Sequence, residues 1–429
     1  MDIYNALSLL GIVFFLAVAW LLSTDRKAVP VRTVVWGLVL QFAFATLVFL
    51  FPLGQKFFVW LNDAVMYVLD AASEGTRFLF GPLALEPGQT GSLGFILITQ
   101  ALPSIIFFAA LMELLYFIGF LPYVVKRCSQ IFSKLLRTSG AESLSVATNI
   151  FVGIESAITI RPFLEKMTAS ELCLVLTASF ATVASSMLGF YVLVLREQLP
   201  NIAGHLVAAS LLAAPAAIVM SKLIYPEKEK PETLGAAVEP VYEKAANPLD
   251  AIIRGATQGG KLIFGIAVML VALISLVALV NKGLGSVHGY LLNNHGLDIP
   301  LKLETLLGYL FFPFALATGM PPMDAVYVGQ LLGERLILTE VSAYQHLAQL
   351  VRLGLFEHPR SAVLASYALC GFAHVASVAI FVGGISLLAP AQTQKLTQVV
   401  WRALVAGTLA TLMTASVAGV FYTRGSLLF

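Results

Sequence analysis

The sequence predicts an all-α polytopic membrane protein. It has about eight transmembrane helices, two re-entrant helical hairpins in an inverted repeat, and helices lying in the interface. Three observations predict this. The chain is 59% hydrophobic and 12% charged, with mean hydropathy +0.88, whereas a soluble domain carries about 25% charged residues. Several windows exceed the roughly 18 apolar residues that span a bilayer. Two further apolar segments, 141–167 and 304–347, are interrupted by Gly, Pro and polar residues, and each carries a carboxylate. Paired broken segments of this kind point to a transporter binding site. The net charge of +2 gives no electrostatic case for a nucleic-acid partner. Cys128, Cys173 and Cys370 are isolated and read as small buried apolar residues.

Each element follows in order. Helix one covers about 6–22. Asp25-Arg26-Lys27 follow it, whereas a cleaved signal carries its positive charge before the apolar run, so a retained helix is expected. Helix two covers about 31–51. Residues 55–73 alternate at helical spacing, as an interfacial helix does. Helix three covers 95–124, and a basic loop with Lys126, Arg127, Lys134 and Arg137 follows. Beyond the first broken segment come helix four (169–195) and helix five (202–224). The Pro- and Glu-rich stretch after it reads as an exposed loop. Helix six covers about 251–280, and its Gly255, Gly259 and Gly260 suggest close helix packing. A second amphipathic stretch precedes the second broken segment, whose turn the sequence places at Gly319-Met320-Pro321-Pro322. Helix seven covers 362–389 and helix eight 399–422. The expected division is scaffold at 1–124, first hairpin with helices four and five at 125–224, and a polar loop at 225–250. Scaffold helix six at 251–283 and the second hairpin with helices seven and eight at 284–429 complete it.

Basic residues favour the cytoplasmic side, which puts Arg26-Lys27 and the Lys126–Arg137 cluster inside and the N-terminus outside. The 225–247 loop also falls inside. The first hairpin then opens to the cytoplasm and the second to the outside. Residues 141–195 and 304–389 share one order, hairpin then helix, in opposite orientation. The expected location is the cell inner membrane, with multiple passes through the bilayer.

Irregular backbone at membrane depth must be buried in protein or line water. Gly153-Ile154-Glu155-Ser156 sits where the first hairpin turns. Its freed N–H groups suit a polar ligand, and Glu155 adds two acceptors. The Asn149 carbonyl, with a hydroxyl from Thr182, Ser185 or Ser186, suits a hard cation such as sodium. The competing reading is that these hydroxyls bond their own helix carbonyls. In helix seven His374 and Ser377 share a face, with Phe372 nearby to stack on a flat ring. Glu334 and Arg335 are expected in structural ion pairing with nearby chain. Pairing of Glu155 and Glu340 with Arg161, Arg352 or Arg402 is the alternative to a ligand role. No HExxH or GxSxG occurs, so nothing supports an enzyme.

The stretch ATNIFVGIESAITIRPFLEKM resembles the signature of the concentrative nucleoside transporter family, usually NIFVGQTEAPLLIRPY. NPLDAIIRGATQGG, VGQLLGERLILTEVSAY and SYALCGFAHVASVAI resemble its other signatures, so the likeness covers nearly the whole chain. It implies a homotrimer in the lipid bilayer that imports nucleosides by ion-coupled symport, with no cofactor beyond the coupling ion. That ion is sodium in most members and a proton in some. The ligand is expected between the hairpin tips and two unwound helices. Carried over, Asn149, Val152, Thr182, Val183 and Ser186 form the sodium site. Gly153, Ile154, Glu155, Ser156, Glu340, Phe372, His374 and Ser377 line the substrate site, with Glu340 on the ribose hydroxyls. This chain departs from the pattern in two places. From Asn149 to Arg161 it has one residue fewer, and Ile154 stands alone where the family has the base-reading Gln-Thr pair. His374 replaces the Asn of the family's GFAN. The expectation is therefore a nucleoside with an atypical base, purine or modified. Proton coupling, or another small polar solute, is the alternative.

Overall fold

The computed structural model describes residues 2–85, 89–153, 156–236, 238–241, 244–296 and 301–423. Ile154 and Glu155 lie outside them. The described residues are helical, and the chain is an all-α polytopic membrane protein. Among the described residues, seven segments are long and apolar enough to cross a membrane.

Helices α1 (Ile3–Leu21) and α2 (Val31–Phe49) match their expected spans, and α3 (Pro52–Phe80) is the amphipathic helix. The expected helix three is not continuous. It is a short α4 (Leu97–Gln100) and then α5 (Ser104–Phe117). Gly119 turns the chain in a left-handed conformation, and α6 (Phe120–Leu136) carries the basic residues that were expected in a loop. Its apolar and basic residues alternate at helical spacing, and such a pattern suits an interfacial helix better than a coil.

The first hairpin is α7 (Gly140–Asn149), a tip, and the short α8 (Ser156–Thr159) and α9 (Arg161–Leu164). Ser139 and Glu142 form a capping box that starts α7. Glu142 also pairs with the buried Lys222, which donates to Ser170 Oγ at 2.9 Å. These bonds fix the base of the hairpin, because a buried ammonium without partners is costly.

Helix four is broken, where the sequence predicts one helix. It is α10 (Ala169–Ala181) and α11 (Ser185–Leu195), with Thr182 in an extended conformation between them. Next come α12 (Ile202–Ile224) and α13 (Pro248–His295). At 48 residues α13 outruns the expected helix six and absorbs the amphipathic stretch after it. The glycine reading holds. A Cβ at Gly255 or Gly259 would lie 2.5 Å from Ala109 O or 2.7 Å from Ile106 Cα, so these two residues bring α13 onto the backbone of α5.

The second half repeats this order. An α14 (Leu303–Ala317) takes the place of α6, and α15 (Pro322–Ile337) with α16 (Glu340–Arg352) forms the second hairpin. Its tip is Leu338-Thr339, not the Gly319–Pro322 turn expected from sequence. That turn joins α14 to α15. Gly319 adopts φ +88°, and a Cβ there would meet Ser8 Oγ at 2.2 Å. Pro and Gly thus mark a real turn but not the one that carries Glu340. The expected helix seven is also broken, into α17 (Pro359–Leu369) and α18 (Val375–Leu388), and α19 (Thr393–Phe421) closes the chain. The series α5, α6, hairpin, α10/α11, α12 is therefore matched by α13, α14, hairpin, α17/α18, α19.

The two broken helices meet at their breaks. A Cβ at Gly371 would lie 2.5 Å from Phe180 O and 2.9 Å from Thr411 Cγ2. Backbone cannot yield there, and overpacking costs about 1–3 kcal/mol. Gly371→Ala is expected to lower the melting temperature in detergent and to impair uptake. A variant with unchanged melting temperature and uptake would show that the breaks are not in tight register.

Candidate functional site

The first hairpin and the first broken helix are joined by a backbone bond. Ser185 N donates to Phe151 O at 3.0 Å. Around it the structure brings together the residues expected to hold a cation. Asn149 is fully buried; its amide donates to Ser145 O (3.0 Å) and Ser156 Oγ (2.8 Å). Its Oδ1 accepts from Ser179 Oγ at 3.3 Å. Thr182 Oγ1 donates to Ala178 O at 2.8 Å. Its proton therefore follows the competing reading, and only its lone pairs remain for a cation. Val183 is buried, and Val152, Gly153 and Ser186 line a cavity of about 310 Å³. The cavity lies between the first hairpin on one side and α5 and α13 on the other, with Glu113 and Gln258 on its far wall.

The second group lies at the other hairpin. Glu340 opens α16 and is 3% exposed. A carboxylate in the first turn of a helix is favoured by the helix dipole. Tyr191 of α11 donates to its Oε1 at 2.9 Å. His374 Nε2 stands 3.1 Å from its Oε2. Oε2 is buried and has no hydrogen-bond partner besides this contact among the described residues. His374 caps α18, and its Nδ1 accepts from Ser377 N at 3.1 Å. A ring that accepts at Nδ1 carries its proton on Nε2, facing the carboxylate. Ser377 Oγ is bound locally, to the carbonyls of Phe372 and His374 (2.6 Å to the latter). Glu340 pairs with neither Arg352 nor Arg402; the Arg402 guanidinium lies over the Tyr225 ring instead.

Glu334 finds its partner in nearby chain, whereas Arg335 meets no carboxylate among the described residues. Glu334 contacts His346 Nδ1 at 2.7 Å and accepts from the Ser342 hydroxyl. Arg335 points into the core. Sequence reasoning missed Tyr191, Ser179 and the direction of Arg335. A signal existed for Tyr191, because a tyrosine inside an apolar helix needs a partner for its hydroxyl.

An inverted pair of hairpins, two broken helices and buried polar groups at every break define a secondary transporter. The family model described as Na+ dependent nucleoside transporter C-terminus matches residues 205–419, its N-terminal counterpart matches 10–83, and the nucleoside recognition Gate model matches 98–197. The chain belongs to the Na+ dependent, concentrative nucleoside transporter family, whose members are transporters and not enzymes. It is 38% identical over 415 residues to the uncharacterized transporter YutK of Bacillus subtilis, covering 96% of this chain and 98% of that one. It is 34% identical to the nucleoside permease NupC of Helicobacter pylori, over 96% and 97% of the two chains. The solved structure of CNTnw in an inward-facing substrate-bound state superposes with TM-score 0.89 at 34% identity, over 100% of both chains.

Proposed function

We propose that this protein imports nucleosides by ion-coupled symport across the cell inner membrane, as a homotrimer, with an atypical base preference. The observation that carries this reading is the buried Glu340 carboxylate at the second hairpin tip, between Tyr191 and His374. Each carboxylate oxygen can accept more than one hydrogen bond, and ribose hydroxyls are donors for the lone pairs that Tyr191 and His374 leave over. His374 and Ser377 complete the ribose end, and Phe372 is placed to stack on the base. Gly153, Ile154, Glu155 and Ser156 form the base end, where Ile154 offers nothing to a ring amide.

The coupling ion is sodium, held by Asn149, Thr182, Ser186 and the carbonyls of Val152 and Val183. It is cargo rather than a resident group. What supports it is the Ser185–Phe151 bond, which pins the hairpin tip to the break. An ion that bridges both would order the tip and so raise substrate affinity by linkage. The hairpins and broken helices then move as one body against α5 and α13, and the cavity between wall and hairpin is the space for that movement.

Competition for uptake in proteoliposomes tests the reading. Purine or modified nucleosides are expected to compete better than uridine, and a sodium gradient to stimulate uptake at fixed pH. The substrate class is wrong if no nucleoside competes and another polar solute does. Uptake that ignores sodium and collapses without a pH gradient selects the proton.

A further inference from the structure

Two helices end, rather than begin, at the centre of the fold: α10 at Ala181 and α17 at Leu369. Each presents the negative end of its helix dipole, equivalent to about half an elementary charge. Their ends are in contact, since Gly371 lies against Phe180 O. Two like dipole ends meeting in an apolar core each need a cation.

Arg335 answers this need at one of them. It is 1% exposed and among the largest fully buried side chains. Its Nη1 donates to Ala368 O, in the last turn of α17, at 2.6 Å, and approaches Thr411 Oγ1 of α19 at 3.3 Å. Its Nε has no partner, and among the described residues no carboxylate lies within 4 Å of it. A buried guanidinium without a counter-ion is expensive. Here the negative end of α17 is its counter-charge.

The placement follows the inverted repeat. Asn149 ends the first arm of the first hairpin and reaches Ser179, in the last turn of α10. Arg335 is two residues before the end of the first arm of the second hairpin and reaches the last turn of α17. One first arm brings a neutral amide to its helix end, and the other brings a fixed positive charge. We propose that Arg335 is a tethered cation, holding in the second repeat the place that the coupling cation takes in the first. The second helix end is thereby neutralised permanently. Only the first then responds to ions in solution, and one cation accompanies each substrate. This rests on the cation reading of the first repeat.

Uptake in proteoliposomes, with and without millimolar guanidinium, tests it on Arg335→Ala, Arg335→Gln and Arg335→Lys. Removal of the charge is expected to lower uptake about tenfold, the size of a charge effect at a desolvated helix end. Lys is expected to retain most activity, and guanidinium to restore Arg335→Ala but not the wild type. Ion dependence is the second readout: sodium is expected to act on Arg335→Ala with a higher Hill coefficient, as a second ion enters the vacated place. Equal activity of the Gln and Lys variants, or an Ala variant that responds to neither guanidinium nor added sodium, overturns the proposal. If the Ala variant does not fold, the Gln–Lys comparison decides. Sodium-independent uptake by the wild type with guanidinium rescue of Arg335→Ala would remove the first-repeat reading and leave the role of Arg335 standing.

Discussion

Glu340→Gln is expected to abolish nucleoside uptake while the protein stays folded. The carboxylate takes a hydrogen bond from Tyr191 on one oxygen and faces the Nε2 proton of His374 with the other. An amide of the same shape must turn its NH2 toward one of these donors. That leaves a donor unmet in a buried site, at about 1–3 kcal/mol. The charge is lost as well, and charge-assisted hydrogen bonds are roughly twice as strong as neutral ones. Together these predict a loss of at least about a hundredfold in uptake, since each 1.4 kcal/mol is a factor of ten. Tyr191→Phe keeps the charge and removes one donor, so a smaller loss is expected from it. Both variants should elute from a sizing column as the wild type does. Normal uptake by Glu340→Gln would place the ligand elsewhere.

The architecture was legible because hydropathy and broken segments report directly on burial and backbone. The seven long apolar segments, the amphipathic α3 and the presence of two hairpins could be read from the chain. The breaks in α10/α11 and α17/α18 could not be read from hydropathy. Thr182 and the Cys370–His374 stretch contain no proline, and the two breaks lie against each other at Gly371 and Phe180. The second tip was misplaced for a related reason. Gly and Pro mark turns reliably, but the turn at Leu338-Thr339 contains neither. Glu340 was found by its charge and by the family resemblance, and its partner Tyr191 lies 149 residues away. Thr182 shows the limit of reading residue types. Its hydroxyl proton is spent on its own helix, a choice that composition does not reveal.

Asn149→Leu is expected to uncouple uptake from sodium. The Asn149 amide bridges three elements, bonding Ser145 on its own helix, Ser156 across the hairpin and Ser179 on α10. Leu fills a similar volume but satisfies none of them. Ser179 already donates to Val175 O at 3.0 Å, so it loses little. Ser156 Oγ loses its donor, and the hairpin loses its cross-link, at about 1–3 kcal/mol. The fold is held by the Glu142–Lys222 pair at the hairpin base and by apolar packing, so the variant should remain intact. The oxygen that would face the cation is gone. Uptake should fall to the level that the wild type shows without sodium, and added sodium should no longer change substrate affinity measured by calorimetry. Retained sodium stimulation would move the cation site away from this junction. It would also remove the reason for the hairpin tip and the helix break to be tied together by the Ser185–Phe151 bond.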